Sequence, residues 1–170
     1  MYHLTEAYLM STLICLFAAF LGALVYGSSV IPATIIRVLG ESGSATLLRT
    51  YWPTYHRLAV FAGTAFTATI AAGSNFSAVP AIYSLLVVTL CGAMTVLFLF
   101  AWRLIPAINA ARDAGDPKRF KRLHQIDIAL VGGGMLLALV VLATLVYVLP
   151  GHFTYYPTEM PTPQPAGIVV

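Results

Sequence analysis

The sequence predicts an all-α integral membrane protein, a bundle of four transmembrane helices followed by an extended, proline-rich tail. Three observations carry this reading. Of 170 residues, 59% are hydrophobic and only 9% are charged, with a mean hydropathy of +0.87. Soluble domains carry about 25% charged residues, so this chain has too few to solvate a globular surface, and lipid is the alternative solvent. Long uncharged runs alternate with short polar segments. All nine lysines and arginines fall in two of those segments.

The first uncharged run, Ala7 to Ile36, is 30 residues long, and about 20 suffice to cross the hydrocarbon. It predicts a helix over about 7–37, kinked or stopped near Pro32. Residues 1–6 carry no basic group, which a cleaved signal peptide requires, so helix one is expected to stay as an anchor. The polar segment Arg37–Arg57 holds Gly40, Gly43 and Tyr51-Trp52-Pro53, and reads as a loop with a short interfacial helix over Ala45–Arg49. The next uncharged run, Leu58 to Trp102, is 45 residues, enough for two crossings. The turn formers from Gly73 to Pro80 divide it into helices at about 55–72 and 81–105. A hydrophilic segment, Pro106–Arg122, precedes helix four at about 118–149, with Asp116 as its N-cap and Pro117 at its first position. Pro150-Gly151 ends it. Residues 1–150 therefore form the membrane domain. Residues 151–170, with Pro157, Pro161, Pro163 and Pro165, form an extended tail.

Three basic residues (Arg37, Arg49, Arg57) surround the first connection and six (Arg103, Arg112, Lys118, Arg119, Lys121, Arg122) the third. The positive-inside rule puts both connections in the cytoplasm and both termini outside. In a bacterial inner membrane, that is the periplasmic side. Topology and anionic headgroups account for the basic cluster, so no nucleic-acid partner is expected.

Helices in lipid associate through close backbone approach. Small residues recur at four-residue spacing in helix two (Ala59, Gly63, Thr67, Ala71) and helix one (Ala19, Ala23, Gly27). Helix four carries Gly133 within a triple glycine, which implies close packing or clearance for a cofactor. These stripes, with Tyr155, Tyr156 and Pro161 of the tail, are the expected contact residues toward the bundle or other membrane subunits. Cys15 and Cys91 lie in apolar runs with no metal-ligand spacing, so no metal site is expected.

Three segments together resemble the small four-helix membrane proteins of the transmembrane-protein-205-like and anthrone-oxygenase-like groups. They are Gly22–Gly27 through Val30-Ile31-Pro32, then Leu48–Arg57, then Ile105–Asn109 with Phe120-Lys121-Arg122-Leu123-His124. The resemblance covers about Ala18 to Leu145 and implies the fold above. The chain departs from the pattern after the histidine, where it has Asp127 followed by apolar residues.

Ionisable groups inside a membrane are costly and commonly functional. Asp127 lies one turn after His124, so the two share a helix face, with Arg103, His56 and Arg57 on the same side of the membrane. This cluster reads as a proton or ligand site, or as an ion-pair network joining Asp127 to Arg103 or Arg57. His56 and His124 are also the candidate pair for haem ligation, with no cofactor as the leading expectation. Tyr51, Trp52 and Tyr55 read as an interfacial belt. No phosphate loop, nucleophile elbow, HExxH or dinucleotide fingerprint is present in the sequence. The leading expectation is a non-catalytic accessory subunit of a larger inner-membrane complex, an energy-transducing one among the candidates. The alternatives are a small redox protein or oxygenase-like enzyme for a lipophilic small molecule, with His56, His124 and Asp127 at its site, and a small oligomeric transporter.

Overall fold

A computed structural model describes residues 2–73 and 81–147, and all of its regular structure is helical. Helix α1 (Tyr2–Val25) passes through one wide π-helical turn (Tyr26–Val30) into α2 (Ile31–Gly73). Gly40, at φ 68 and ψ 178, breaks α2 into two rods. Helices α3 (Ala81–Asp113) and α4 (Pro117–Tyr147) complete four rods. The expected second loop and the tail, with Tyr155, Tyr156 and Pro161, lie outside the described residues.

The boundaries differ from the sequence expectation in three places, each involving a proline. Helix one distorts just before Pro32, as one of the two expectations had it, but it does not stop there and runs on to Gly40, three residues past the expected end at 37. In a regular helix the Pro32 ring would clash with the carbonyl four residues back, at Ser28. The wide turn at Tyr26–Val30 lies directly over that position, where a local change of pitch accommodates it. The expected loop at 37–57 is reduced to the Gly40 break, because Pro53 stays inside α2. Pro106 likewise stays inside α3, which runs eight residues past the expected end at 105 to Asp113. Each proline frees one carbonyl, at Arg49 and at Trp102, within the polar half of the molecule. The turn between α3 and α4 is correspondingly short, with Gly115 at φ 63. The N-cap of α4 follows expectation: Asp116 Oδ1 accepts from the Arg119 amide at 2.9 Å.

Three rods are long and apolar enough to cross a membrane: Tyr8–Gly40, Ala81–Asp113 and Pro117–Tyr147. The fourth, residues 41–73, combines a polar first half with a threonine-rich second half. There the Thr64 and Thr67 hydroxyls donate to the Val60 and Gly63 carbonyls, at 2.8 Å each. That bonding hides the hydroxyls inside the helix's own backbone.

The core runs along α3, which packs most extensively on α4 and next on α2. Val87, Cys91, Met94, Phe98 and Ala101 are its fully buried spine. Close approach is set by glycines. A Cβ on Gly63 would lie 2.5 Å from Thr95 Oγ1, and one on Gly134 would lie 2.8 Å from Phe98 Cε2. The α2 stripe therefore faces inward: Ala59 and Gly63 are buried and Thr67 and Ala71 half-buried. On the first rod, Gly27 of the π-turn is buried while Ala19 and Ala23 of α1 are exposed. The triple glycine divides its roles. Gly134 packs on Phe98, Gly133 touches Leu97 less closely, and Gly132 has open space where a side chain would go. Cys15 is exposed and Cys91 buried, both as free thiols.

Candidate functional site

The π-turn creates the site. Widening a helix by one residue per turn disturbs the regular carbonyl ladder, and α2 supplies partners to that segment. Tyr51 donates to the Gly27 carbonyl at 2.6 Å and Tyr55 to the Leu24 carbonyl at 3.0 Å. The two rings are one helical turn apart and stacked, with centroids 6.0 Å apart. Gly27 is required beneath them, since a Cβ there would meet Tyr55 Cε2 at 2.8 Å. Tyr55, only 8% exposed, is thus an internal strut and not part of an interfacial belt.

Directly after Tyr55, His56 is completely buried, and Asp127 is 5% exposed. His56 Nε2 lies 3.2 Å from Asp127 Oδ1, joining α2 to α4. This corrects the expected pairing of Asp127 with Arg103 or Arg57, both of which are exposed. His56 Nδ1 sits 2.8 Å from the Trp52 carbonyl. A carbonyl only accepts, so Nδ1 carries the hydrogen. The neutral state of the pair then has one proton between Nε2 and Oδ1, either as imidazolium and carboxylate or as imidazole and carboxylic acid. The approach is close but not aligned as a hydrogen bond, and neither atom has another hydrogen-bond partner among the described residues. Buried polar atoms with unused bonding capacity are rare.

Asp127 forms part of the wall of an open-mouthed cavity of about 460 Å³ lined by all four rods, within the size range of small-molecule sites. Ser28 and Ser29 of the π-turn, Pro32 and Ile36 line one side. Val131, Gly132 and Met135 form an apolar end, and Trp52, Ile105 and Ile108 a further wall. The polar end holds Arg49, Asn109, Arg112 and His124. Arg49 pairs with Asp113 across this mouth, with both side chains partly exposed. The Arg112 guanidinium stands 4.7 Å above the Phe120 ring, and Phe120 stacks on His124 at 5.7 Å with 17° between the planes. The three form a layered column at the opening.

The structure therefore brings His124 and Asp127 to one cavity and sets His56 behind Asp127. It does not arrange His56 and His124 as a pair of ligands. Both ring nitrogens of His56 face protein groups, leaving none directed into the cavity. Among the described residues, no cluster of three or more histidine, cysteine, aspartate or glutamate side chains is placed to hold a metal ion. Sequence reading missed Trp52, Arg112, Asn109 and the serines. The four-residue spacing of Trp52 and His56 is the one signal that could have pointed to the histidine's backbone partner.

No known protein family, curated protein or solved structure matches the chain.

Proposed function

We propose that the chain is a bacterial inner-membrane protein crossing the bilayer four times, with both termini outside. In this reading its cavity binds a lipophilic small molecule, and the His56–Asp127 pair gives a proton to that molecule or takes one from it. The observation that carries the reading is a buried acid–base pair whose acid, Asp127, stands on the wall of a mostly apolar cavity, and whose facing atoms, 3.2 Å apart, have no further hydrogen-bond partner among the described residues. Such a pair sits where a bound polar group would complete its hydrogen bonds. The fourth crossing rests on the uncharged stretch of α2 after Arg57 and on its self-bonded threonines. The orientation rests on the distribution of basic residues.

The test is mass spectrometry of lipophilic molecules retained by the full chain, purified in mild detergent from its native membranes. Gly132→Phe fills the open space beside Gly132, so the bound molecule is expected to be lost. Asp127→Asn keeps the shape and removes the charge, so the molecule is expected to remain bound while its conversion, or its proton exchange with solvent, falls by about 10²–10⁴-fold. A specifically retained molecule unaffected by Gly132→Phe sinks the proposal.

A second reading, the accessory subunit, is favoured by the exposed small face of α1 at Ala19 and Ala23. It predicts co-purification with other membrane subunits, weakened at least about tenfold by Ala19→Leu/Ala23→Leu. Isolation of the chain alone in mild detergent counts against it.

A further inference from the structure

We infer that the molecule held in this cavity is an amphiphile with an anionic head, a carboxylate or phosphate on a hydrocarbon body. The inference rests on the cavity being a ligand site, as proposed above, and assigns the chemistry at its mouth.

The two ends of the cavity differ in kind. Val131, Met135 and Pro32 offer apolar surface, with the Ser28 hydroxyl, 3.9 Å from Met135 Sδ, as an uncharged exception, and Gly132 leaves room for a chain to lie against the α4 backbone. At the other end stand two guanidinium groups, Arg49 and Arg112. Their counter-charges are incomplete. Arg112 meets the face of Phe120 and forms no ion pair with a carboxylate among the described residues. Arg49 is paired with Asp113, but their side chains are 40% and 53% exposed. An exposed pair of this kind contributes little, so an incoming anion displaces Asp113 at small cost. Asp127, the acid on the wall, is already faced by His56.

A cationic head would meet two like charges at the mouth, and a neutral head would leave both guanidiniums without a new partner. A carboxylate or phosphate matches the planar fork of donors that arginine presents. The Phe120–His124 stack beneath Arg112 limits where that fork lies, so its side chain gives up less freedom on binding.

The experiment uses the full chain in neutral phosphatidylcholine nanodiscs. The protein has two tryptophans, and Trp102→Phe leaves Trp52, on the cavity wall, as the only reporter. The probes are dibromostearic acid and the matching dibrominated alcohol, whose bromines quench tryptophan on contact. The acid is expected to quench Trp52 saturably at about tenfold lower concentration than the alcohol. Arg112→Gln is expected to remove that advantage without changing the alcohol, and Gly132→Phe to remove the saturable component for both. Arg112 is exposed, so its substitution leaves the core intact.

Equal quenching by acid and alcohol, unchanged in Arg112→Gln but lost in Gly132→Phe, overturns the head-group assignment and leaves the cavity proposal standing. No saturable quenching by either probe overturns both. Displacement of the acid probe by an equal concentration of acetate or inorganic phosphate overturns the amphiphile, because the mouth would then be a site for soluble anions. Displacement by an anionic phospholipid added to the disc supports the assignment and names a lipid headgroup as the source. Resistance to it, with binding of the acid retained, supports a free acid.

Discussion

His56→Ala is expected to destabilise the protein by about 3–5 kcal/mol, since it strands a buried carboxylate and opens a void where a fully buried ring stood. The double variant His56→Leu/Asp127→Leu should recover most of that loss. Replacing both partners of a buried pair with apolar groups is often neutral, whereas removing one is not. Equilibrium unfolding in mixed detergent micelles measures both. If the double variant is no more stable than His56→Ala, the two side chains are not energetically coupled, and Asp127 owes its position to something else. The double variant also separates stability from chemistry, because it should fold and yet exchange no proton with a bound molecule.

That pair was only half legible in the sequence. Asp127 stands out because a carboxylate near a long apolar run needs a partner. The abundance of arginines nearby pointed to Arg103 or Arg57. Geometry decided otherwise: α2 begins far earlier than its uncharged stretch, so His56 lies inside the bundle and not at a helix end. The error traces to Pro53 and Pro106. Each reads as a terminator, but a proline frees only one carbonyl, and outside a long apolar stretch water or polar neighbours can satisfy it at little cost. Where a local rule had no competitor, the reading held, as with Asp116 and Pro117 at the start of α4. The inward stripe of Ala59 and Gly63 was legible as a pattern, though its direction came only from Thr95 and Met94 opposite. The π-turn was not legible. Its sequence, Tyr-Gly-Ser-Ser-Val, is unremarkable, and its partners Tyr51 and Tyr55 lie more than twenty residues away.

Gly27→Val is expected to cost about 2–4 kcal/mol, second only to the loss of His56. The new side chain would enter the space of the Tyr55 ring and the Tyr51 hydroxyl. It thereby combines overpacking with the loss of the Tyr51 bond to Gly27 in the π-turn, the Tyr55 bond to Leu24 just before it, or both. The paired variant Tyr51→Phe removes one hydroxyl without a clash and should cost only about 1 kcal/mol. Thermal unfolding of the two variants side by side tests the contrast. A similar loss in both would mean that the hydrogen bond, and not the close approach, holds the turn.

The length of α3 has a consequence for how any ligand is encountered. Its 33 residues extend about 50 Å at 1.5 Å per residue, against a hydrocarbon thickness of about 30 Å. The excess lies beyond Arg103, the side that carries Arg112 and the mouth of the cavity. If the apolar stretch of α3 up to Arg103 fills the hydrocarbon, as the proposed four-span reading requires, the chamber straddles the boundary between acyl chains and headgroups, and a solute dissolved in the leaflet would reach it sideways. Occupancy would then follow the mole fraction of solute in the membrane, not its concentration in water. Titrations at different lipid-to-protein ratios should therefore superimpose only when plotted against solute per lipid.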